Sequence, residues 1–353
     1  MAVCRAEVMV LKPGNVHVHA AGHGMTAEDF LLSAEVAAPE IARGTAAFAW
    51  PATAAAATLF LFTAALPASA QPLAMTEVAP GIFVHQGAVA EPAPDNAGDT
   101  ANMGFIVGDS FVAVIDTGGT PELGVRLREA IAARTDRKPV IVINTHMHPD
   151  HVFGNAAFAG VPIAGHANLR DALAARQEIY RQRLAEELGA EAAAGIAPVR
   201  VDRPVAEEVR VDLGNRILVL TAYPTAHTNN DLTVFDRKTG TLFTGDLLFV
   251  DHIPAVDGNA VGWLRVIERL ERVPAVRAVP GHGPARVAWP GALDAQRRYL
   301  TALVDGVRRV LKAGGGIQDA VAHVAEEERD RWLLFDAYNP RNVTATFAEL
   351  EWE

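Results

Sequence analysis

The sequence has almost no cysteine. Cys4 is the only one, so no disulfide can form within the chain, and residues 71–353 offer no thiolate to bind a metal or attack a substrate. Clustered positive charge is also lacking, since the net charge is −11. A surface for nucleic acid or for an anionic membrane needs such clusters. We therefore expect a small-molecule substrate and no nucleic-acid partner.

Long apolar runs are lacking too. The run AAAATLFLFTAAL at 54–66 carries no charge, but a membrane-spanning helix needs about 20 such residues. The sequence ASA at 68–70 follows it and is typical of a signal-peptide cleavage site. We therefore predict a signal peptide within 41–70, cleavage after Ala70, and a periplasmic mature protein without stable membrane insertion. The alternative is a buried helix of the mature fold.

The predicted organisation is a leader at 1–70 followed by one domain at 71–353. The end of that domain, 291–353, is predicted to be a helical extension. Residues 1–40 precede the predicted signal peptide, whereas a signal peptide starts near its charged region. This suggests that translation starts downstream of Met1.

Short apolar runs alternate with amphipathic stretches after residue 71. The runs at 81–87, 103–108 and 111–118 are predicted strands separated by glycine turns, and 139–145 is predicted to be buried on both faces. A helix with proline at its start is predicted at 121–134. Two rounds of strands followed by helices favour an αββα sandwich of the α/β class, with two sheets face to face.

Four candidate ligands follow the strand predicted at 139–145. The sequence THMHPDH brings His146, His148, Asp150 and His151 into one short loop. Imidazole and carboxylate groups bind zinc, and also iron or manganese. Because ligands of α/β sheets bind at the carboxyl ends of strands, we expect a metal site here rather than a run of surface histidines.

Three further candidate ligands are predicted just past other strands. His227 follows LVLTAYPTA, Asp246 follows TLFT, and His282 follows AVRAVP. Each alone has an ordinary interpretation, since an Asp after Gly, for example, often forms a turn. Together with the first four they make a set of seven candidate metal ligands.

These motifs resemble those of the metallo-β-lactamase superfamily. The resemblance covers 78–290 and depends on THMHPDH, AHTNND, FTGD and PGHG. It implies an αββα fold with a dinuclear site of the glyoxalase II-like type, which holds two Zn²⁺ ions, or else iron or manganese. It assigns His146, His148 and His227 to metal 1, Asp150, His151 and His282 to metal 2, and Asp246 to both. Branches with a cysteine ligand do not fit, because position 246 is Asp.

A narrower resemblance is to the quinoprotein relay system zinc metallohydrolases. It depends on ANMGFIVGDSFVAVIDTG, INTHMHPDHVFGNAAF, AHTNNDLTVFD and the tail RNVTATFAELEWE, and it covers 76–353. It implies a periplasmic setting and a functional link to a PQQ-dependent quinoprotein dehydrogenase, without a defined substrate. Residues 1–40 depart from this pattern.

The implied chemistry is metal-dependent hydrolysis. Two cations about 3.5–4 Å apart lower the pKa of a bridging water, and the resulting hydroxide attacks the carbonyl of an ester, thioester, lactone or amide. No serine or cysteine nucleophile is needed. Asp150 is the predicted catalytic side chain, which would orient the hydroxide or shuttle a proton.

Two carboxylates are candidates to orient the ligands. A ligating histidine usually donates its other N–H to a carboxylate or a carbonyl. Asp116 follows the predicted strand FVAVI, and Asp231 lies four residues after His227. Capping of a turn or strand end is the alternative for both.

The predicted substrate pocket has three candidate side chains, His252, Arg341 and Asn342. An ordinary surface role is the alternative for each of them. The loop at 88–101, AVAEPAPDNAGDTA, is a candidate lid or substrate loop.

Two alternatives to a dinuclear hydrolase stay open. One is a mononuclear iron enzyme similar to persulfide dioxygenases, which metal analysis separates from the first. The other is a non-catalytic, metal-containing accessory protein of the quinoprotein system. Substitution of Asp150 or Asp246 should leave the pathway intact in that case.

Overall fold

The computed structural model describes residues 7–12, 15–19, 72–198 and 200–353. The predicted signal peptide at 41–70 lies outside the described residues. The strands are β1 (Glu7–Lys12), β2 (Asn15–His19), β3 (Thr76–Ala79), β4 (Ile82–His85), β5 (Met103–Val107), β6 (Val112–Ile115), β7 (Pro139–Ile143), β8 (Ile163–His166), β9 (Arg203–Val205), β10 (Glu208–Asp212), β11 (Ile217–Ala222), β12 (Leu232–Asp236), β13 (Thr241–Phe249), β14 (Arg277–His282) and β15 (Val287–Ala288).

The α-helices are α1 (Pro121–Ala132), α2 (Pro149–Val152), α3 (Leu169–Leu188), α4 (Ala260–Leu270), α5 (Leu293–Lys312), α6 (Ile317–His323) and α7 (Phe335–Leu350). Short 3₁₀ helices lie at Phe153–Phe158 and Glu326–Arg331. Within the described part of the chain, no helix is long and apolar enough to cross a bilayer.

The strands form two sheets. Sheet A runs β15-β14-β13-β12-β11-β10-β1-β2, and sheet B runs β3-β4-β5-β6-β7-β8-β9. Strand β1 pairs in parallel with β10 and antiparallel with β2. The backbone before the predicted signal peptide therefore extends sheet A. The domain boundary at residue 70 stays a prediction.

A buried cluster joins the facing sides of the two sheets. Leu220 and Val234 of sheet A belong to the same cluster as Ile115 and Ile143 of sheet B. Burying an aliphatic side chain of this size stabilises a fold by about 1.5–3 kcal/mol, so the layer between the sheets contributes strongly to the stability of the fold. Ile115 and Ile143 are the last residues of β6 and β7, and the loop after β7 carries the first candidate ligands.

Helices cover the outer sides of both sheets. Leu127 of α1 belongs to a cluster with Phe105 and Val142 of sheet B, and Trp263 of α4 and Tyr299 of α5 belong to a cluster with sheet A. The predicted αββα sandwich of the α/β class is confirmed. The tail at 291–353 contains α5 to α7, which pack in the outer layer on sheet A.

The residues at the start of α1, next to the site, determine where this helix begins. The Thr120 side chain accepts a hydrogen bond of 3.2 Å from the backbone N–H of Leu123, and Pro121 occupies the first helical position. Both choices favour the start of a helix, because they satisfy or remove N–H groups that have no partner there. The preceding residue Gly119 lines the cavity described below.

Candidate metal centre

The ligand loop changes from extended chain to helix between its second and third ligands. His146 and His148 lie in the loop after β7, and Pro149 starts α2, whose first turn carries Asp150 and His151. Proline suits this position because its fixed φ is already helical. The change of conformation divides the four side chains between two groups, as the resemblance implied.

The first group contains three imidazoles. His148 Nδ1 lies 3.0 Å from His146 Nε2 and 3.0 Å from His227 Nε2. His146 and His227 are buried, and His148 is partly exposed. The three nitrogens converge on one point from two different loops.

The second group contains Asp150, His151 and His282. Asp150 Oδ2 lies 3.3 Å from His282 Nε2 and 3.8 Å from His151 Nε2. The two histidines are buried, whereas the Asp150 side chain is 23% exposed. Asp150 is therefore the most exposed member of this group.

Asp246 lies between the two groups. Its Oδ2 is 3.4 Å from His227 Nε2 and 3.3 Å from His282 Nε2, and its Oδ1 is 3.1 Å from His151 Nε2. This residue lies within β13 at an irregularity in its pairing with β14, and not past the strand end as predicted. A Cβ atom at Gly281 would lie 1.9 Å from Asp246 Oδ1, so glycine is needed there.

In the first group, the ring nitrogens that face one another are better suited to binding a cation than to hydrogen bonding with each other. His148 Nε2 faces the Asp257 carboxylate at 3.0 Å, and His227 Nδ1 faces the Ala255 carbonyl at 2.6 Å. Carboxylates and carbonyls only accept, so these nitrogens carry the hydrogens. The lone pairs of His148 Nδ1 and His227 Nε2 then face each other at 3.0 Å. A shared cation removes that repulsion.

The second group shows the same fit. His151 Nε2 and Asp246 Oδ1 are buried and have no hydrogen-bond partner among the described residues. A buried polar atom without a partner costs about 1–3 kcal/mol. Nitrogen and oxygen donors without thiolate suit zinc, and also iron and manganese. The residues present therefore fit a metal centre, and they leave the identity of the metal open.

The remaining ring nitrogens are anchored. His151 Nδ1 donates to Asp116 Oδ2 at 2.8 Å, and Asp116 also accepts hydrogen bonds from the backbone N–H and the hydroxyl of Thr145. His282 Nδ1 lies 2.9 Å from the Thr100 carbonyl oxygen. Such contacts fix the tautomer and orientation of a ligand. Asp116 thus lies where it can orient the His151 ring.

The structure corrects the prediction for Asp231. Both of its oxygens accept hydrogen bonds from Thr228, from the backbone N–H at 2.8 Å and from the hydroxyl at 2.6 Å. The Ala255 carbonyl takes the partner position on His227 instead. Four residues of separation suggested contact between Asp231 and His227, but the chain turns there and Asp231 closes the turn.

Electrostatics keep two imidazoles of the first group neutral. Burial lowers the pKa of His146 well below 6.5 and that of His227 to about 4. Burial opposes ionisation of Asp246, but His282 and His151 outweigh it and lower the pKa of this carboxyl. Neutral imidazoles and ionised carboxylates are the forms that bind metals.

In the second group, protons on the histidines neutralise the negative charge of the carboxylates when no cation is bound. Burial opposes charge on His282, but Asp246 and Asp150 outweigh it and raise the pKa of His282 to about 10. Burial likewise opposes charge on His151, where Asp246 and Asp116 raise the pKa. Metal binding must displace these protons, so metal affinity should rise with pH.

A cavity of about 500 Å³ opens onto five of the seven ligands, namely His148, Asp150, His227, Asp246 and His282. Glu91 and Pro92 from the loop at 88–101 form part of its wall, as predicted for this loop. The loop after β13 contributes His252, which was also predicted to line the pocket, and α7 contributes Tyr338. Helix α3 contributes a further part of the wall.

The other two predicted pocket residues are not in the cavity wall. Arg341 is exposed, and its guanidinium lies 5.2 Å from the centre of the Tyr338 ring. Asn342 is buried, donates to the Pro254 carbonyl at 2.6 Å, and accepts from the backbone N–H of Val256 at 2.9 Å. Helix periodicity decides this, because the face of α7 that carries Asn342 points into the protein.

Two functional residues were missed from the sequence. Asp257 faces His148, and Arg176 of α3 donates to the same Asp257 oxygen. Arg176 also lies 3.4 Å from the Tyr180 hydroxyl. The i, i+4 spacing of Arg176 and Tyr180 gave a signal for one helix face, but nothing local indicated that this face lies over the site.

The comparisons with known proteins agree with the geometry. The model of the metallo-β-lactamase superfamily matches residues 97–282, slightly more than half of the chain. This chain belongs to the metallo-β-lactamase superfamily. Members are typically metal-dependent hydrolases, and the predicted enzyme class is confirmed at that level. The model of ATP:dephospho-CoA triphosphoribosyl transferase matches residues 2–90, which is too short a share to show a second family.

Solved structures share the superfamily fold at low identity. A sec-alkylsulfatase from Pseudomonas sp. has a TM-score of 0.59 and 17% identity, over 79% of this chain and 50% of its own. A metallo-β-lactamase from Pontibacter korlensis has a TM-score of 0.53 and 20% identity, over 65% of this chain and 99% of its own. This superfamily chain spans half the length of the alkylsulfatase. No curated protein matches it significantly.

Proposed function

We propose that this superfamily member is an exported dinuclear zinc hydrolase that cleaves an ester, thioester, lactone or amide-type carbonyl compound. The observation that carries the proposal is the pair of buried atoms His151 Nε2 and Asp246 Oδ1, which have no hydrogen-bond partner among the described residues and lie at the junction of two ligand groups. A mononuclear site would leave one of the two groups without a cation.

The two cations would be held by the seven side chains in two sets. His146, His148 and His227 would hold the first, Asp150, His151 and His282 the second, and Asp246 both. Iron or manganese would accept the same ligands. Zinc is proposed because the donors are mainly imidazoles and the proposed reaction needs no redox change.

When bound, two such cations supply Lewis acidity and a water of lowered pKa. The chain supplies the rest. Asp150 is the candidate catalytic side chain, because its carboxylate belongs to the second group and is also open to the cavity. Burial opposes its charge, but His151 and His282 keep the pKa of Asp150 below its ordinary range, so the carboxylate stays ionised and can orient a water molecule by accepting a hydrogen bond from it. Asp116 holds His151 in position.

The cellular setting is the second part of the proposal. The apolar run at 54–66 followed by ASA at 68–70 supports export to the periplasm. The similarity over 76–353 to the quinoprotein relay system zinc metallohydrolases supports a functional link to PQQ-dependent oxidation. Cell fractionation with an antibody to the folded domain tests the first point. Recovery of the full-length chain from the cytoplasm alone would contradict export.

Metal analysis of the purified protein is the experiment that tests the function. We expect two zinc ions per chain, and about one or fewer in His146→Ala. His323→Ala is a matched control, since His323 is exposed on α6. One iron per chain would favour the dioxygenase alternative, and folded protein that takes up no added zinc would contradict the metal centre.

A substrate screen follows from the metal result. Thioesters, lactones, esters and amides are the first compounds to test, and alkyl sulfates belong in the screen because of the similarity in fold to the sec-alkylsulfatase. Asp150→Asn should lower turnover at least about 100-fold. If the pathway works normally with Asp150→Asn, the non-catalytic accessory role replaces the hydrolase.

A further inference from the structure

One wall of the cavity contains three polar side chains that the proposed metal centre does not use. His252 comes from the loop after β13, Tyr338 from α7, and Glu91 from the loop at 88–101. The His252 ring lies 4.9 Å from the Tyr338 ring and 5.1 Å from the His282 ring, measured between centroids. His252, Tyr338 and Glu91 are called the acceptor wall below, and His252 places this wall next to His282, a ligand of the proposed second metal.

His252 presents a hydrogen-bond acceptor to the cavity. Its Nδ1 is hydrogen-bonded to the backbone carbonyl of Ile253, and because a carbonyl only accepts, Nδ1 carries the hydrogen. The residue is only 3% exposed, which favours the neutral ring. Nε2 then has a free lone pair, and it has no hydrogen-bond partner among the described residues. His252 lines the cavity, so a ligand there can reach it.

The backbone holds His252 in place from both sides. Asp251 adopts a positive φ of 65°, a conformation that is strained for a residue other than glycine. The Leu333 N–H donates to the Asp251 carbonyl at 2.8 Å, and the Ile253 N–H donates to the Leu333 carbonyl at 3.1 Å. The two hydrogen bonds with Leu333 therefore hold the segment that carries His252 in this conformation.

The other two members add oxygen acceptors. Glu91 Oε1 is buried and has no hydrogen-bond partner among the described residues. Tyr338 also lines the cavity, and its hydroxyl oxygen can accept a hydrogen bond through a lone pair. A bound group that donates hydrogen bonds would satisfy these atoms, which otherwise cost free energy when they are desolvated.

We propose that the acceptor wall binds hydroxyl groups, so that the substrate is a hydroxylated, polyol-like ester or lactone. This rests on the proposed hydrolase function. Hydroxyl groups are favoured over ammonium groups, because an ammonium group beside two divalent cations would be repelled. A site built to bind a hydroxyl discriminates strongly against the analogue that lacks it, since its polar atoms are then left without partners.

Binding of two ethers of similar size tests the proposal. The probes are 1-O-butylglycerol, which has two hydroxyls, and butyl propyl ether, which has none, titrated by NMR into the zinc-loaded protein. We expect 1-O-butylglycerol to bind about tenfold more tightly. His252→Phe should remove most of that difference, and His252→Gln should keep part of it, because the amide oxygen can accept. His323→Phe is the control on an exposed helix.

Equal affinities in the parent protein would overturn the proposal, as would an advantage of 1-O-butylglycerol that survives in folded His252→Phe. Absence of binding by both ethers would also overturn it. Neither ether has a bond that the proposed hydrolase cleaves. A protein that binds zinc but hydrolyses no ester would therefore contradict the proposed function and leave this binding result standing.

Discussion

Asp246 Oδ1 lies 3.1 Å from His151 Nε2, and neither atom has a hydrogen-bond partner among the described residues. Both atoms are buried, so water cannot satisfy them at low cost. The same carboxylate reaches His227 of the first ligand group through its other oxygen. The first prediction follows from this relationship.

Asp246→Asn should lower the affinity for at least one metal ion roughly 100-fold or more. The amide has nearly the shape of the carboxylate but loses the charge that both ligand groups face. Metal content after dialysis against a competing chelator measures the effect, and circular dichroism checks the fold. Asp136→Asn, on an exposed turn, is the control. Unchanged zinc content in Asp246→Asn would refute the shared-ligand assignment.

Asp116→Asn tests the support of a ligand rather than a ligand. Asp116 accepts from His151 Nδ1 and from Thr145, so the variant should bind metal about 10–100-fold more weakly. The loss should come mainly from the ion held by His151. Zinc titration followed by competition with a chromophoric chelator would show two unequal sites. A uniform loss at both sites would indicate a general structural effect.

Asn342→Ala should destabilise the fold by about 1–3 kcal/mol. The substitution leaves the Val256 N–H and the Pro254 carbonyl without their partner, and such buried groups are costly. Urea denaturation measures the change. Exposed Arg341→Gln is the matched neighbour and should change stability by less than about 0.5 kcal/mol. Similar stabilities for the two variants would contradict the bracing role of Asn342.

The pair His85 and Asp99 should make stability depend on pH. Burial opposes charge on His85, but the Asp99 carboxylate, 2.8 Å away, outweighs it and raises the pKa of His85 above 6.5. This stabilisation is fully present below pH 6.5 and is lost as pH rises through the higher value of the folded state. Asp99→Asn should therefore destabilise the protein more at pH 5.5 than at pH 8.5.

Urea denaturation of the metal-free protein at the two pH values measures this difference, which we expect to be at most about 1 kcal/mol. Metal-free protein is used because metal affinity itself depends on pH. Asp95→Asn, exposed in the same loop, should show no such dependence. A difference of the opposite sign would contradict the assigned direction of the pKa shift.

Local sequence determined most of the metal centre. Period-two and apolar patterns predicted the strands, and ligands placed after strands converge because strand ends meet at one edge of a sheet. His146, His148 and His151 could be assigned from one loop. Asp116 could be added because carboxylates commonly support ligating histidines.

The contacts between distant segments were decided only by the tertiary structure. The partner of His227 is the carbonyl of Ala255 and not Asp231, and a backbone carbonyl leaves no trace in residue identity. Asn342 turned out to brace the loop that carries Ala255, and α3 supplied a cavity wall that no local pattern placed there. Sequence periodicity shows which face of an element is apolar, but the packing of whole elements decides what each polar side chain meets.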